Sequence, residues 1–194
     1  MDYTPYISEL RSNILLAEAE DLSLRIYAVD KEIPYQADGI PRETTNRLEA
    51  YLHAPDGSKP CNLSFSFEDR DFYGEMSYDN VKAEYFFSCT LDVSKETELA
   101  CRIEYGEKTV EMTARSVCNE NTLTASNILS ILEAEEQELF TAMTDKYGFS
   151  GEIYMRQIYE NALYYYVGII ERSGVVHAFL INAQSGKILA KRTM

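Results

Sequence analysis

The sequence has no tryptophan, only two histidines and little basic charge. Its 18 basic side chains stand against 32 acidic ones, which gives a formal net charge of −14. A nucleic-acid-binding surface needs a basic footprint that displaces counterions from phosphate, so the composition argues against that class. No stretch approaches the roughly 18 consecutive apolar residues of a membrane-spanning helix. Hydrophobic residues nevertheless make up 45% of the chain, too many for a disordered protein.

The motifs of common catalytic and cofactor sites are also missing. There is no phosphate-binding glycine loop and no G-x-S-x-G, and neither His53 nor His177 stands in the context of a catalytic triad. Asp69 and Asp71 could ligate calcium through oxygen, but the EF-hand spacing is absent and a solvated loop is the favoured interpretation. We therefore expect no catalytic residues, no metal ion and no cofactor.

The four cysteines contain no C-x-x-C pair, which argues against a zinc site. Cys61, Cys89 and Cys101 each fall on the apolar side of an alternating stretch, and Cys118 follows the last of these stretches. Since a buried cysteine behaves as a small hydrophobe, we predict free core thiols. A disulfide between Cys89 and Cys101 is the alternative, and the turn between them does not fix the register that it would need.

Residues 1–118 are predicted to be mostly β-strand. Apolar and polar residues alternate with the period of two that is typical of half-buried strands at 22–28, 48–52, 61–67, 84–93, 98–105 and 108–115. Residues 5–16 fit either a helix or a strand, and 33–47 and 68–79 are expected to be loops. Six to eight short strands separated by turns indicate an antiparallel sandwich.

The segment Leu91-Asp92-Val93, Leu99 to Tyr105 and Thr109 to Thr113 resembles the last three strands of immunoglobulin-like domains. The resemblance implies an Ig-like β-sandwich over residues 1–118. It extends to the fold only, because the sequence lacks the tryptophan of true immunoglobulins and has no cysteine in the early strand 22–28.

The period changes after residues 118–125, which are small and polar and form a plausible linker. Apolar side chains then recur on one helical face at Ile128, Leu129, Leu132, Leu139, Phe140, Met143 and Tyr147. We predict one helix over 126–147, with Thr124 or Ser126 as its N-cap and Gly148 just past its end. Four strands should follow, at 152–159, 162–172, 175–182 and 187–192. The second domain, residues 119–194, is therefore expected to be a helix packed on a four-strand antiparallel meander, an α+β unit.

The closing segment of this second domain, Val176 to Leu189, resembles the last hairpin of PepSY-type domains. In that family an apolar strand leads into an Asp-Ala-x-Thr-Gly-x-Ile/Val-Leu turn, and here Asn182 and Ser185 replace the Asp and the Thr. Both substitutes can still hydrogen-bond the turn backbone, and Gly186 still permits positive φ. The resemblance implies an exported or membrane-tethered bacterial protein that binds or inhibits partners and does not catalyse.

The start of the sequence has neither the basic nor the apolar region of a signal peptide. Two explanations stay open at this point: a cytoplasmic protein, or an exported protein whose leader or anchor lies upstream of Met1. The PepSY resemblance favours the second, whereas unpaired cysteines favour the first.

The run Tyr164-Tyr165-Tyr166, with Tyr154 and Tyr159 nearby, is the most unusual local feature. In a strand, Tyr165 points to one face, and Tyr164 and Tyr166 point to the other. One face should meet the helix. The candidate interface residues are therefore Tyr154, Tyr159, Tyr164 and Tyr166, because exposed tyrosines are common at binding surfaces. The alternative is that the first domain covers them.

The leading hypothesis is a non-enzymatic binding or regulatory module of a bacterial envelope protein, which engages a protein partner and reaches the membrane only through an upstream anchor. The alternative is a cytoplasmic small-molecule-binding protein or enzyme with a pocket between its domains. A third possibility is one continuous domain, in which helix 126–147 packs across the first sheet.

Overall fold

The computed structural model describes all 194 residues and is mainly β, with antiparallel sheet and two short helices. The strands are β1 Ile7–Ala19, β2 Leu22–Glu32, β3 Thr44–His53, β4 Cys61–Phe67, β5 Arg70–Glu75, β6 Ser77–Asp79, β7 Glu84–Cys89, β8 Glu98–Tyr105, β9 Lys108–Ser116, β10 Thr144–Asp145, β11 Gly148–Phe149, β12 Gly151–Tyr159, β13 Leu163–Glu171, β14 Val176–Asn182 and β15 Ile188–Thr193. The helices are α1 Ala125–Glu135 and α2 Gln137–Ala142, and a 3₁₀ turn spans Thr4–Tyr6.

The chain forms two compact units, and they do not follow a single boundary at residue 118. The terminal unit consists of residues 1–12, 29–46 and 118–194, and the central unit of residues 13–28 and 47–117. Residue 118 is thus one junction between the units, but two earlier segments belong with the C-terminal residues. The reason is a long-range pairing, because the start of β1 pairs with β12 in the terminal unit.

The sheet of the terminal unit has the strand order β15-β14-β13-β12-β1. Its last four strands in the chain form the predicted antiparallel meander, with β12 paired to β13, β13 to β14 and β14 to β15. The start of β1 adds to this meander in parallel, and its register runs from Ile7 opposite Ile153 to Arg11 opposite Arg156. The ambiguous segment 5–16 is therefore mostly strand.

The helical segment begins as predicted and ends earlier than predicted. Thr124 caps α1, since its hydroxyl accepts the backbone N–H of Asn127 while the Asn127 side chain accepts the backbone N–H of Thr124. The helix breaks at Glu136 and α2 ends at Ala142, so the continuous helix over 126–147 is wrong. Residues 144–149 form a tight hairpin instead, in which Gly148 adopts a φ of 121°.

One side of the terminal sheet meets the helices. Ile128, Leu129 and Leu132 are buried along α1. The hydroxyl of Tyr165 on β13 donates to the backbone oxygen of Leu123, just before the helix, at 3.0 Å. The side of the sheet that carries Tyr165 is therefore called the helix face.

The central unit consists of two series of antiparallel strands. One series has the order β5-β4-β8-β9, with β9 paired to Leu15 and Leu16 of β1. The other has the order β3-β7-β6. Buried residues of both series, such as Leu63 and Ile103 of the first and Leu52 of the second, belong to one hydrophobic cluster. A β-rich unit with one core is what the alternation predicted, and the Ig-like arrangement stays a prediction.

Two predicted loops contain strands. Residues 68–79 form β5 and β6, because β5 pairs along its length with β4 and β6 pairs with β7. The sequence did not predict these strands, because charged residues and Gly74 interrupt the alternation of apolar and polar residues. Of the predicted loop 33–47, only 33–43 lie outside strands, since β3 starts at Thr44. We call residues 33–43 the strap.

Candidate functional site

The predicted interface tyrosines lie on both sides of the terminal sheet. Directly opposed residues share a side, and neighbours along a strand alternate. Tyr154 and Tyr166 lie on the side away from the helices, and so does Tyr164. Tyr159 pairs with Leu163 and lies on the helix face, at the exposed end of its strand. The structure therefore brings three of the four together.

The side away from the helices carries Tyr154, Tyr164 and Tyr166, together with Leu180, which lies opposite Tyr166 on β14. We call these four residues the tyrosine face. Tyr154 is only 8% exposed. The other three are each half-buried. The face thus combines one buried ring with three side chains that still reach solvent.

Gly168 leaves space for the Tyr154 ring, because it has no side chain. It sits directly opposite Tyr154, and a Cβ built on it would come within 2.0 Å of the tyrosine ring. The ring therefore occupies the space above the glycine and contacts the ring of Tyr166, with centroids 5.8 Å apart. Burial raises the pKa of Tyr154.

A charged pair borders the tyrosine face. Glu9 on β1 accepts two hydrogen bonds from the guanidinium of Arg156, from Nε at 2.9 Å and from Nη2 at 2.5 Å. The same guanidinium lies over the Tyr154 ring, 4.7 Å from its centroid. Fork-like pairing and stacking are the contacts that arginine makes best, and together they fix the orientation of the ring.

A buried carboxylate holds the strap onto the same side of the sheet. Glu152 has no exposed surface, and its Oε2 accepts the backbone N–H groups of Asp38 and Gly39 at 3.1 and 2.9 Å. Its Oε1 accepts the hydroxyl of Ser8. A bulge in β1 between residues 7 and 9 lets both Ser8 and Glu9 reach this side, as bulges commonly re-aim side chains.

The strap also requires a glycine where it passes the end of β13. Gly39 has a φ of +76°, and a Cβ there would lie 2.8 Å from the backbone nitrogen of Arg172. Burial and the nearby charge of Glu152 raise the pKa of Tyr35, near the start of the strap, to about 12. The strap is therefore packed close to the start of β12.

A second buried carboxylate anchors the far end of the strap. Glu32 is 1% exposed and accepts the backbone N–H of Arg42, whose guanidinium lies 3.5 Å from its other oxygen. Arg42 also pairs with Asp38 within the strap. Neither Glu32 nor Glu152 was a sequence candidate. No sequence signal distinguishes Glu152 from the other acidic residues, because its partners Ser8, Asp38 and Gly39 are more than a hundred positions away.

The two histidines do not form a site with each other. His53 is exposed at the end of β3. His177 Nε2 lies 2.8 Å from Glu171 Oε1, and its Nδ1 lies 3.4 Å from the hydroxyl of Thr193. The latter distance is longer than an effective hydroxyl–imidazole hydrogen bond. The hydrogen bond to His177 lowers the pKa of Glu171, and it links the two strands beside the β13–β14 turn.

None of the four cysteines forms a disulfide, so the Cys89–Cys101 bridge is absent. Cys61 and Cys101 are buried, as predicted for core thiols, and burial raises the pKa of each thiol to about 12. Cys89 is half-buried and lies opposite Leu48, on a different strand series from Cys101. Such thiols are protonated and poorly nucleophilic near neutral pH.

A shallow groove of about 650 Å³ lies along the outer face of β5, β4, β8 and β9 in the central unit. Its lining includes Ser64, Ser66, Tyr73, Arg102, Glu111 and Thr113. No group of three or more His, Cys, Asp or Glu side chains is arranged to hold a metal ion. Asp71 instead accepts the hydroxyl of Ser66 across the β4–β5 pair.

Comparisons with known proteins give no relative from which a function could be transferred. No family model matches the chain, and no curated protein and no solved structure is similar to it. Neither helix has the length and apolar character that crossing a bilayer requires.

Proposed function

We propose that this chain is a non-enzymatic protein-binding or regulatory module, and that its partner engages the tyrosine face of the terminal unit. The observation that carries the proposal is the half-exposure of Tyr164, Tyr166 and Leu180, which are neighbours on one side of a paired sheet. Tyrosine on a strand loses little conformational entropy when it is covered, so it contributes contact area at low cost.

The surroundings of the face support a protein as its ligand. Arg156 is held by Glu9 and stacks on Tyr154, so the border of the face is ordered before a partner arrives. Preorganised aromatic and arginine side chains are enriched among the residues that contribute most to protein interfaces. The face is also the surface of a paired sheet, whereas a small molecule requires a concave pocket.

We further propose that the module belongs to a bacterial envelope protein tethered through an upstream anchor. The support is the PepSY resemblance of residues 176–189. The resemblance implies a turn in which residue 182 hydrogen-bonds the backbone and residue 186 has a positive φ. In the structure, Asn182 Oδ1 accepts the backbone N–H groups of Gln184 and Ser185, and Gly186 has a φ of +71°. Fractionation of cells that express the native gene tests this placement, and a purely cytosolic product would contradict it.

Differential capture tests the proposed interface. The chain and its Tyr164→Ser/Tyr166→Ser variant would be used as bait against solubilised envelope, with Tyr159→Ser as the matched control on the helix face. We expect a defined protein that is lost with the double variant and kept with Tyr159→Ser. Equal capture by all three baits would refute the tyrosine face as the interface.

The alternative class, a small-molecule-binding protein, is favoured by the groove of the central unit. Its lining combines an exposed ring, Tyr73, with the charged Arg102 and Glu111. A ligand screen by thermal shift, with Arg102→Ala as the control, tests it. A shift in melting temperature that Arg102→Ala abolishes would favour this class over the first.

A further inference from the structure

β15 forms a free edge of the terminal sheet. It pairs only with β14, and its backbone register there is fixed by Val176 and Met194, which exchange both N–H···O bonds at 3.0 and 2.9 Å. In an antiparallel pair, hydrogen-bonded and non-hydrogen-bonded positions alternate. Arg192 and Ala190 therefore bond to β14, whereas Lys191 and Thr193 direct their N–H and C=O groups away from the sheet.

The charge of this edge is opposite to that of the chain. Residues 187–194 carry three basic side chains and no acidic one, in a protein of net charge −14. Lys187, Lys191 and Arg192 are all exposed. Lys191 pairs with Glu136 at 3.2 Å, while Lys187 and Arg192 form no ion pair. An edge of this charge repels a second copy of itself, since like charges on adjacent strands are destabilising.

The edge continues the tyrosine face. Ala190 lies opposite Leu180, and Arg192 lies opposite Ala178, both on the side away from the helices. A strand added to β15 would extend this face by one strand, and every second side chain of the added strand would lie beside Ala190 and Arg192. The remaining side chains would lie on the helix face, beside Lys191.

We propose that the β15 edge accepts an acidic extended segment of a partner protein as an added strand. Main-chain hydrogen bonds to Lys191 and Thr193 supply register, and carboxylates on the side of the added strand that faces Arg192 supply selectivity. The bulge that leaves Leu189 out of the pairing limits the addition to a short segment. The inference rests on the proposed function, because it identifies the kind of partner that the tyrosine face would meet.

A defined peptide pair tests the proposal. The probes are blocked heptapeptides of alternating glutamate and valine, and of alternating lysine and valine, titrated into the ¹⁵N-labelled full chain. We expect submillimolar binding of the glutamate peptide only, with shifted amide signals and slowed amide exchange at Lys191 and Thr193. No shift at these amides up to millimolar peptide would overturn the proposal and would leave the basic edge as protection against aggregation.

Two variants at one position separate strand addition from charge attraction. Thr193→Pro removes an outward N–H that the pairing with β14 does not use, and Thr193→Val keeps that N–H in a strand-forming residue. We expect at least tenfold weaker peptide binding for Thr193→Pro and a change within twofold for Thr193→Val, at unchanged melting temperatures. Equal binding by both variants would show that only charge is recognised and would overturn strand addition.

The capture assay separates this inference from the proposed function. If Thr193→Pro retains the partner that Tyr164→Ser/Tyr166→Ser loses, the tyrosine face stands and the edge proposal fails. If no bait captures a partner through the tyrosine face while the glutamate peptide still protects Lys191 and Thr193, the edge binds on its own and the proposed function fails.

Discussion

Replacing Glu152 should release the strap from the sheet. The carboxylate is fully buried and accepts three hydrogen bonds, from Ser8 and from the backbone of Asp38 and Gly39. Each hydrogen bond to a charged group contributes roughly 1.5–3 kcal/mol, but removing the carboxylate also removes its desolvation cost. The net loss of unfolding free energy for Glu152→Ala should therefore be about 2–4 kcal/mol, below the sum of the three bonds.

Glu152→Gln should lose less. The amide oxygen can accept both strap N–H groups if the amide nitrogen faces Ser8, whose hydroxyl can turn and accept. Only the charge assistance is lost, so we expect a cost of about 1–2 kcal/mol. Urea unfolding measures both variants, and Glu135→Ala on the exposed side of α1 is the control for charge alone, with a change under about 0.5 kcal/mol.

Amide exchange locates the effect of these variants. In Glu152→Ala the amides of Asp38 and Gly39 should exchange at least tenfold faster than in the parent chain, since a factor of ten corresponds to about 1.4 kcal/mol of local opening. Amides of the central unit, such as that of Leu63, should not change. If Asp38 and Gly39 keep their protection while global stability falls, Glu152 stabilises the sheet and does not hold the strap.

Further predictions concern tyrosines, the helix cap and thiols. Five of the 15 tyrosines have raised pKa values and should ionise at higher pH than the other phenols, so absorbance at 295 nm should show a delayed fraction; these are Tyr3, Tyr35, Tyr85, Tyr154 and Tyr165. Since the unfolded phenols ionise near pH 10 and the folded ones later, stability should be full below pH 10 and fall from pH 10 to about 12. Tyr165→Phe should lower unfolding free energy by about 1–3 kcal/mol, because it leaves the amide of buried Gln157 without its acceptor, whereas Tyr164→Phe should change it by under about 0.5. Thr124→Ala should cost about 1 kcal/mol in urea unfolding, and an unchanged midpoint would contradict the capping role. A thiol reagent should find four free thiols in denaturant, with Cys61 and Cys101 reacting slowest in the folded chain; fewer than four would indicate a disulfide.

Short-range features of the fold could be predicted from the sequence because their causes are local. The meander strands follow from alternation, and their turns follow from residues that tolerate positive φ, such as Gly174 at +88° and Gly186 at +71°. The start of α1 follows from the capping chemistry of Thr124. The end of the helical segment could not be predicted in the same way. Its apolar spacing continues through Tyr147, but the Met143 oxygen accepts the N–H of Ser150 and closes the hairpin.

Long-range features could not be predicted, because an alternating pattern predicts a strand but does not show which other strand it pairs with. The parallel pairing of β1 with β12 joins residues more than a hundred positions apart, and it places residues 7–11 in the sheet of the terminal unit. The same limit applies to the site. Glu9 and Glu152 look like ordinary acidic residues in a chain that has 32 of them, and their roles depend on Arg156 and on the strap.

The number of tyrosines says less about function than the location of each hydroxyl group, because a hydroxyl that is hydrogen-bonded inside the protein indicates a structural ring. Tyr85 and Tyr105 both donate to the backbone oxygen of Asp56, and Tyr165 donates to that of Leu123, so these three rings are structural residues whose polar ends are satisfied inside the protein. Strand alternation forces the neighbours of Tyr165 onto the opposite side of the sheet, away from the helices that bury it. Burial of one ring in the run 164–166 thus requires that Tyr164 and Tyr166 form a separate surface. That surface is half-exposed beside an arginine held by Glu9, and it is the surface that the proposed function assigns to the partner.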